Sequence, residues 1–467
     1  MKKIVAIALA IILTLAACTA KDEPFDPNRP LKLTVLYGGN PRSFDYEYGS
    51  YLASKFPNLE FELISEGDLY KIELQEQYEK EYIRLVQAKQ PDLIIAGDTP
   101  LLMKYNLIDR LDPYIRQDGF DLNGMYPGMI DLLKARGDGS LCGLTPQFRN
   151  HALFYNIDLF EKYGIEPPRN GMTWDEVLTL AQRFPANDGG EPVYGFARGN
   201  YYSKDKIWIM LELISETERL QMVSADVKQL LMDTASWTNL YDKVMRAVQS
   251  GAVKPDGSSG LKWETHDFIM GRAAMSFHSY GMLVDFHLVQ QDLKDWKPFR
   301  WGVVTAPIDP LHPDETTHAR PAEMFSIYAH SPHKRAAWEV IKYIHGEEYA
   351  KLRSRIVNTD ALMMRTAFNI DKDGHDLSPF YALKPVSVKG WMRDDLDFQL
   401  YTELRDLVTK ESDKALNGEQ SVEEALSRIQ TEGQHLVDEM NLKRREVEEE
   451  YRKKQEQAEK EQQEQRK

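Results

Sequence analysis

The chain has 467 residues, a formal net charge of −15, two cysteines and 42% hydrophobic residues. At roughly 100–200 residues per domain, that length implies two or more domains, and the acidic balance argues against nucleic acid or a basic membrane-binding face. With one cysteine claimed by the N-terminal signal described next, no intramolecular disulfide can form, so the core alone must hold the fold.

The chain opens with Lys2 and Lys3, then an apolar run from Ile4 to Leu15 broken only by Thr14, then Leu15-Ala16-Ala17-Cys18. This is the pattern of a secretory signal, and the run is shorter than the ~20 apolar residues of a spanning helix. Leu-Ala-Ala-Cys resembles the lipobox of bacterial lipoproteins, which implies cleavage after residue 17 and lipid on Cys18. Lipid chains anchor a protein without spanning the membrane. Residues 18–30 then form a lipidated N-terminus and a polar, proline-rich spacer, and no later stretch is apolar enough to span.

From Leu31 the pattern turns to α/β. Leu31, Leu33 and Val35 alternate with polar residues as a strand does, halted by Gly38-Gly39, and Arg42 to Phe56 is helical in character. Leu59, Phe61 and Leu63 alternate again, and Tyr70 to Lys89 carries Tyr78, Tyr82, Leu85 and Val86 on one helical face. Leu93 to Ala96 is an unbroken apolar run of the kind buried on both faces of a sheet. Strands alternating with helices imply βαβ units.

Three later helices are marked by their starts. Thr173 with Glu176 and Ser421 with Glu424 form capping boxes, and Ser331-Pro332 reads as an N-cap with proline in the first turn. From Asn441 to Lys467 nearly every residue is charged or amide, with no a/d apolar repeat. That segment reads as a solvated, frayed helix or a disordered tail.

Catalytic and metal motifs are scarce. Gly257-Ser258-Ser259-Gly260 lacks the spacing of a nucleophile elbow, and His345-Gly346-Glu347-Glu348 lacks the second histidine of a zinc helix. His312, His318, His330 and His333 read as surface or loop residues without metal-ligand spacing. Asp371, Asp373 and Asp376 around Gly374 could offer oxygen ligands to calcium, but the EF-hand spacing fails and a solvated Asp-Gly turn is the simpler reading. No metal site and no cofactor are expected. Cys142 reads as a small buried hydrophobe. Aromatic residues stand at expected strand ends and loops: Tyr37, Tyr155, Tyr201, Tyr202, Trp208, Trp263, Tyr280, Trp301 and Trp391. Aromatic faces suit the C–H faces of sugar rings, provided the fold gathers several at one cleft.

Five phrases in order resemble the extracellular solute-binding proteins of sugar importers, the family typified by maltose-binding protein. They are Pro91 to Gly97 with Tyr105 to Asp112; Leu144 to Pro146 with Leu153 to Phe160 and Thr173 to Glu176; Phe268 to Met275; Lys334 to Ile344; and Leu416 to Leu426. The resemblance implies an α/β, two-lobe periplasmic-binding-protein-like (type II) fold with a hinge and an inter-lobe ligand cleft. It implies one lobe from 31–147 plus 326–380, and another from 150–322 plus 385–440. Crossings are expected near 147–150, 322–327 and 378–386, with 441–467 as the charged tail. The implied function is a monomeric, non-enzymatic solute-binding component of an ABC importer, lipid-anchored on the extracellular face of the bacterial cytoplasmic membrane. It would bind a carbohydrate, an oligosaccharide that is either neutral or acidic, and deliver it to permease subunits.

The loops expected at the cleft give Tyr37, Gly38, Gly39, Asp98, Thr99, Arg149, Ser279, Tyr280 and Trp391 as ligand-binding candidates. Arg149 stands where the family has an acidic sugar contact. A guanidinium there would favour an anionic ligand, or would pair across the hinge with an aspartate such as Asp98. A secreted carbohydrate-active enzyme and a sensory adaptor are the rival readings.

Overall fold

The computed structural model describes residues 25–67, 69–72, 75–95, 99–198, 207–254, 263–356, 360–387 and 398–465. Two four-stranded sheets organise them. In the first, the order is Phe325–Ile327, Leu93–Ile95, Leu31–Tyr37, Leu59–Ser65. Leu31–Tyr37 runs parallel to both of its neighbours, and Phe325–Ile327 is antiparallel to Leu93–Ile95. Leu93, Ile94 and Ile95 are all buried, as their apolar run requires. The second sheet is ordered Trp301–Val304, His151–Asn156, Ala273–Ser279, Tyr194–Phe196.

Between the two sheets, Gln147–Arg149 pairs antiparallel with Arg320–Pro321 on one side and Leu362–Met363 on the other. Glu315–Thr316 pairs with Lys384–Pro385 nearby. Three separate stretches of chain thus meet at this junction, and side chains lock them. Buried Asn150 donates to the Phe380 carbonyl at 2.6 Å, and the Tyr126 hydroxyl donates to the Leu383 carbonyl.

One apolar core lies against the first sheet around Trp338, Phe325 and Tyr349, and continues through Phe148, Phe154 and Phe380 onto the second sheet. Another gathers Trp174, Trp208 and Trp237 with Leu404, Ile429 and Val437 of the C-terminal helices. Cys142 is free and buried, and burial raises its thiol pKa, so it packs as a hydrophobe.

Both capping boxes form. The Thr173 and Glu176 side chains each bond the other's backbone N–H, and Ser421 and Glu424 do the same. Several boundaries differ from the sequence reading. The helix expected from Tyr70 runs Gln75–Lys89, after a short 3-10 turn at Leu69–Lys71. The segment 41–55 is helical but passes through a π turn at Asp45–Gly49. Ser331 is not the N-cap: Lys334–Ile344 starts after His333, whose N–H donates to the Ser331 hydroxyl at 2.9 Å while that hydroxyl donates to the buried Asp92 carboxylate at 2.6 Å. His318 is buried instead of lying at the surface, with Nε2 2.8 Å from the Thr217 hydroxyl. The charged tail continues the helix Val422–Gln465. Among the described residues no helix is long and apolar enough to cross a membrane.

Candidate functional site

Several of the expected residues lie at or beside the junction between the sheets. On the first-sheet side, Tyr37 ends its strand with its ring buried against Phe44 and its hydroxyl donating to Ser43 at 3.2 Å. Gly38 and Gly39 follow and are exposed. A Cβ on Gly39 would lie 2.6 Å from the Tyr37 ring, so a larger residue would have to push that ring aside. Thr99 is buried at the start of Thr99–Lys104. Asp98 and Trp391, like Cys18, Tyr201 and Tyr202, lie outside the described residues.

Arg149 sits at the end of the crossing strand with its side chain about half exposed. Its Nε donates to Asp360 at 2.9 Å and one terminal nitrogen reaches the Ala322 carbonyl at 3.4 Å. The aspartate that pairs with it among the described residues is Asp360, beside the strand Leu362–Met363; the expected Asp98 lies outside them. Next to Ala322, Glu323 accepts a hydrogen bond from the Tyr48 hydroxyl. Burial raises the Glu323 pKa, with nearby Glu47 adding to the shift and Tyr48, Arg149 and Arg353 opposing it. Burial holds Tyr48 well above its ordinary range, so it remains a donor.

On the second-sheet side, Ser279 ends its strand and accepts from the Gly281 N–H at 3.3 Å. A Cβ on Gly281 would lie 3.4 Å from Asp360, so this turn abuts the Arg149–Asp360 pair. Tyr280 packs edge-on against Phe380 and faces a recess of about 200 Å³. Phe286, Trp296, Phe299 and Trp301 line the recess together with polar His287, Gln290, Asp371 and Lys372. Trp301 stacks on His375 at 3.6 Å and on Phe286 at 5.5 Å. His375 in turn holds Asp371 at 2.6 Å. Asp371 also accepts from the Asp373 and His375 N–H groups, and Asp376 from Ser378, so these carboxylates fasten the turn itself.

Arg149, Ser279 and Tyr280 thus come together around Asp360 and Gly281, with Tyr37 related to them only through Glu323, while Trp208 proves to be core, bonded to Tyr401. Sequence reasoning missed Glu323, Tyr48 and Asp360. Glu323 lay within the expected crossing at 322–327, but nothing in the sequence tied it to Tyr48. The junction offers aromatic faces, carboxylate acceptors and hydroxyl donors.

Residues 57–351 match the family described as bacterial extracellular solute-binding protein. The chain belongs to that family. A binding protein of Brucella abortus strain 2308 is 23% identical over 317 residues, 64% of this chain and 71% of the relative. Among solved structures, a sugar transporter protein of Rhizobium etli in an open conformation superposes with a TM-score of 0.59. It is 18% identical and covers 87% of this chain and 99% of its own. The sugar-binding protein MalE of Xanthomonas citri gives 0.57 at 15% identity, over 90% and 99%. This solute-binding protein therefore has the two-lobe, hinged α/β fold with its cleft between the lobes.

Proposed function

We propose that this protein is the lipid-anchored, monomeric, non-enzymatic binding component of an ABC importer. Its lobes close on a carbohydrate and present it to permease subunits at the extracellular face of the cytoplasmic membrane. We assign 31–147 with 326–380 to one lobe and 150–322 with 385–440 to the other. The observation that carries the reading is a recess lined by Tyr280, Phe286 and Trp301 beside the turn that abuts Asp360, whose partner Arg149 lies near Glu323. Aromatic faces cover the apolar side of a sugar ring, and carboxylates accept from its hydroxyls. The names of the structural relatives from Rhizobium etli and Xanthomonas citri, both sugar proteins, support the same class.

Arg149 is half-exposed and paired with Asp360 through Nε, so a neutral and an acidic sugar are both put to the test. A neutral oligosaccharide fits the carboxylate-rich junction. The test is a thermal-shift panel of neutral and acidic sugars on the wild type and on Tyr280→Ala. A ligand of the folded state raises apparent stability by RT ln(1 + [L]/Kd). The reading expects a neutral sugar to raise the wild-type midpoint, with most of that rise lost in Tyr280→Ala. Turnover of the sugar during incubation would replace it with the enzyme reading.

A further inference from the structure

Behind the turn that carries Tyr280, three side chains from different elements converge. His266 follows the 3-10 turn Trp263–Thr265, His278 is the penultimate residue of Ala273–Ser279, and Asp285 lies in the first turn of Met282–Asp292. Each offers one donor atom, and those atoms all lie within 4.8 Å of one another. We propose that His266, His278 and Asp285 form a site for a divalent transition-metal cation of the zinc class.

The donor set suits that class: imidazole and carboxylate bind zinc at about 2.0–2.2 Å, and three protein ligands leave a fourth position open to water. The spacing is close to what an ion requires. Tetrahedral zinc holds its donors about 3.3 Å apart, so from a triangle with sides at the upper limit each donor moves roughly 0.8 Å to close on the ion.

Hydrogen bonds around the imidazoles select the coordinating nitrogens. His278 Nδ1 lies 3.2 Å from the Ser279 carbonyl. That contact keeps the proton on Nδ1 and turns Nε2 into the ligand, as an outer-shell carbonyl does for metal-bound histidines. His266 Nδ1 meets the Ile269 N–H at a long 3.3 Å, a contact given up when the proton moves to Nδ1 for coordination through Nε2.

The surrounding charge sets a limit on affinity. Lys254 and Arg272 both face His266 but are paired with Asp267, and Arg198 faces His278. An ion here would join strand, turn and helix on both sides of Tyr280, and so brace the ring that the carbohydrate reading uses. The metal site itself stands whether or not that reading does.

The test is calorimetric titration of zinc into the purified, tag-free protein after EDTA treatment, with Co²⁺ visible absorption as an independent report of coordination. One equivalent should bind, at least tenfold more weakly in both His278→Ala and Asp285→Asn, with the exposed His312→Ala unchanged. Asp285→Asn is close in shape, so it decides the matter even if His278→Ala fails to fold. No saturable one-equivalent binding, or equal affinity in Asp285→Asn, would overturn the proposal.

Discussion

Glu323→Gln separates binding from folding. The Glu323 carboxylate is partly buried and accepts from Tyr48, and burial raises its pKa above the ordinary 4.5. Glutamine keeps the shape and an acceptor for Tyr48 while removing the charge that burial penalises. A raised folded-state pKa means the folded protein holds that proton more tightly than the unfolded chain does. Its favourable contribution is therefore full below about pH 4.5 and lost as pH rises through the folded pKa. The variant escapes that loss, so its stability relative to wild type should rise as pH increases above 4.5 and converge below it. Binding should move the other way. A hydrogen bond from a sugar hydroxyl to a carboxylate contributes about 1.5–3 kcal/mol and one to an amide carbonyl about 0.5–1.5. The difference, about 1–1.5 kcal/mol, weakens binding about 5- to 12-fold. Calorimetric titration with the sugar selected by the thermal panel, beside denaturant melts of the empty protein at pH 4 and 7, measures both. Unchanged affinity, or a loss of affinity that tracks a loss of stability, would refute the assignment of Glu323 to the cleft.

Asp118→Asn should destabilise the first lobe. Burial opposes ionisation of Asp118, but bonds from Arg335 at 2.6 Å, Lys342 at 2.7 Å and Trp338 at 3.0 Å outweigh it and lower its pKa from 3.8 to about 2. A shift of that size contributes about 2.5 kcal/mol, present above the unfolded pKa and lost as pH falls through about 2. The variant's deficit in calorimetric melts should accordingly be large at pH 7 and small near pH 2. Truncation after Asn441 should leave sugar affinity within about twofold while lowering the melting point, because Lys443 bonds Gln399 at 2.6 Å and Val447 packs on the second core, away from the cleft. A large affinity loss would show that the tail contributes to the cleft. Cys18→Ser should abolish lipid attachment, read by membrane fractionation and intact mass; normal fractionation with lipid retained would disprove the anchor.

What the sequence revealed was mostly local. Alternation in Leu31–Tyr37 and the capping residues Thr173 and Ser421 act over a few positions, and the fold keeps them. Misreadings came from partners distant in sequence. Ser331 looked like the cap, but the helix starts after His333, and the Ser331 hydroxyl also ties down Asp92, 239 positions away. Arg149 was open between a ligand contact and a pair with an aspartate, and its described partner, Asp360, is 211 positions on. Glu323 and Tyr48 are 275 positions apart, and no local pattern marks their bond. The tail extends as helix although its apolar stripe fades after Met440, because Glu, Lys, Gln and Arg favour helix without packing. The site at the junction depended on the topology that brings three crossing segments together, and family resemblance, not periodicity, pointed to Tyr37, Arg149, Ser279 and Tyr280.

Closure of the two lobes on a sugar is the central claim, and solution X-ray scattering measures it most directly. The empty protein and the protein saturated with the sugar selected by the thermal panel should differ, with the bound form showing a smaller radius of gyration as the hinge closes. Superimposable scattering curves at saturating ligand would contradict the account.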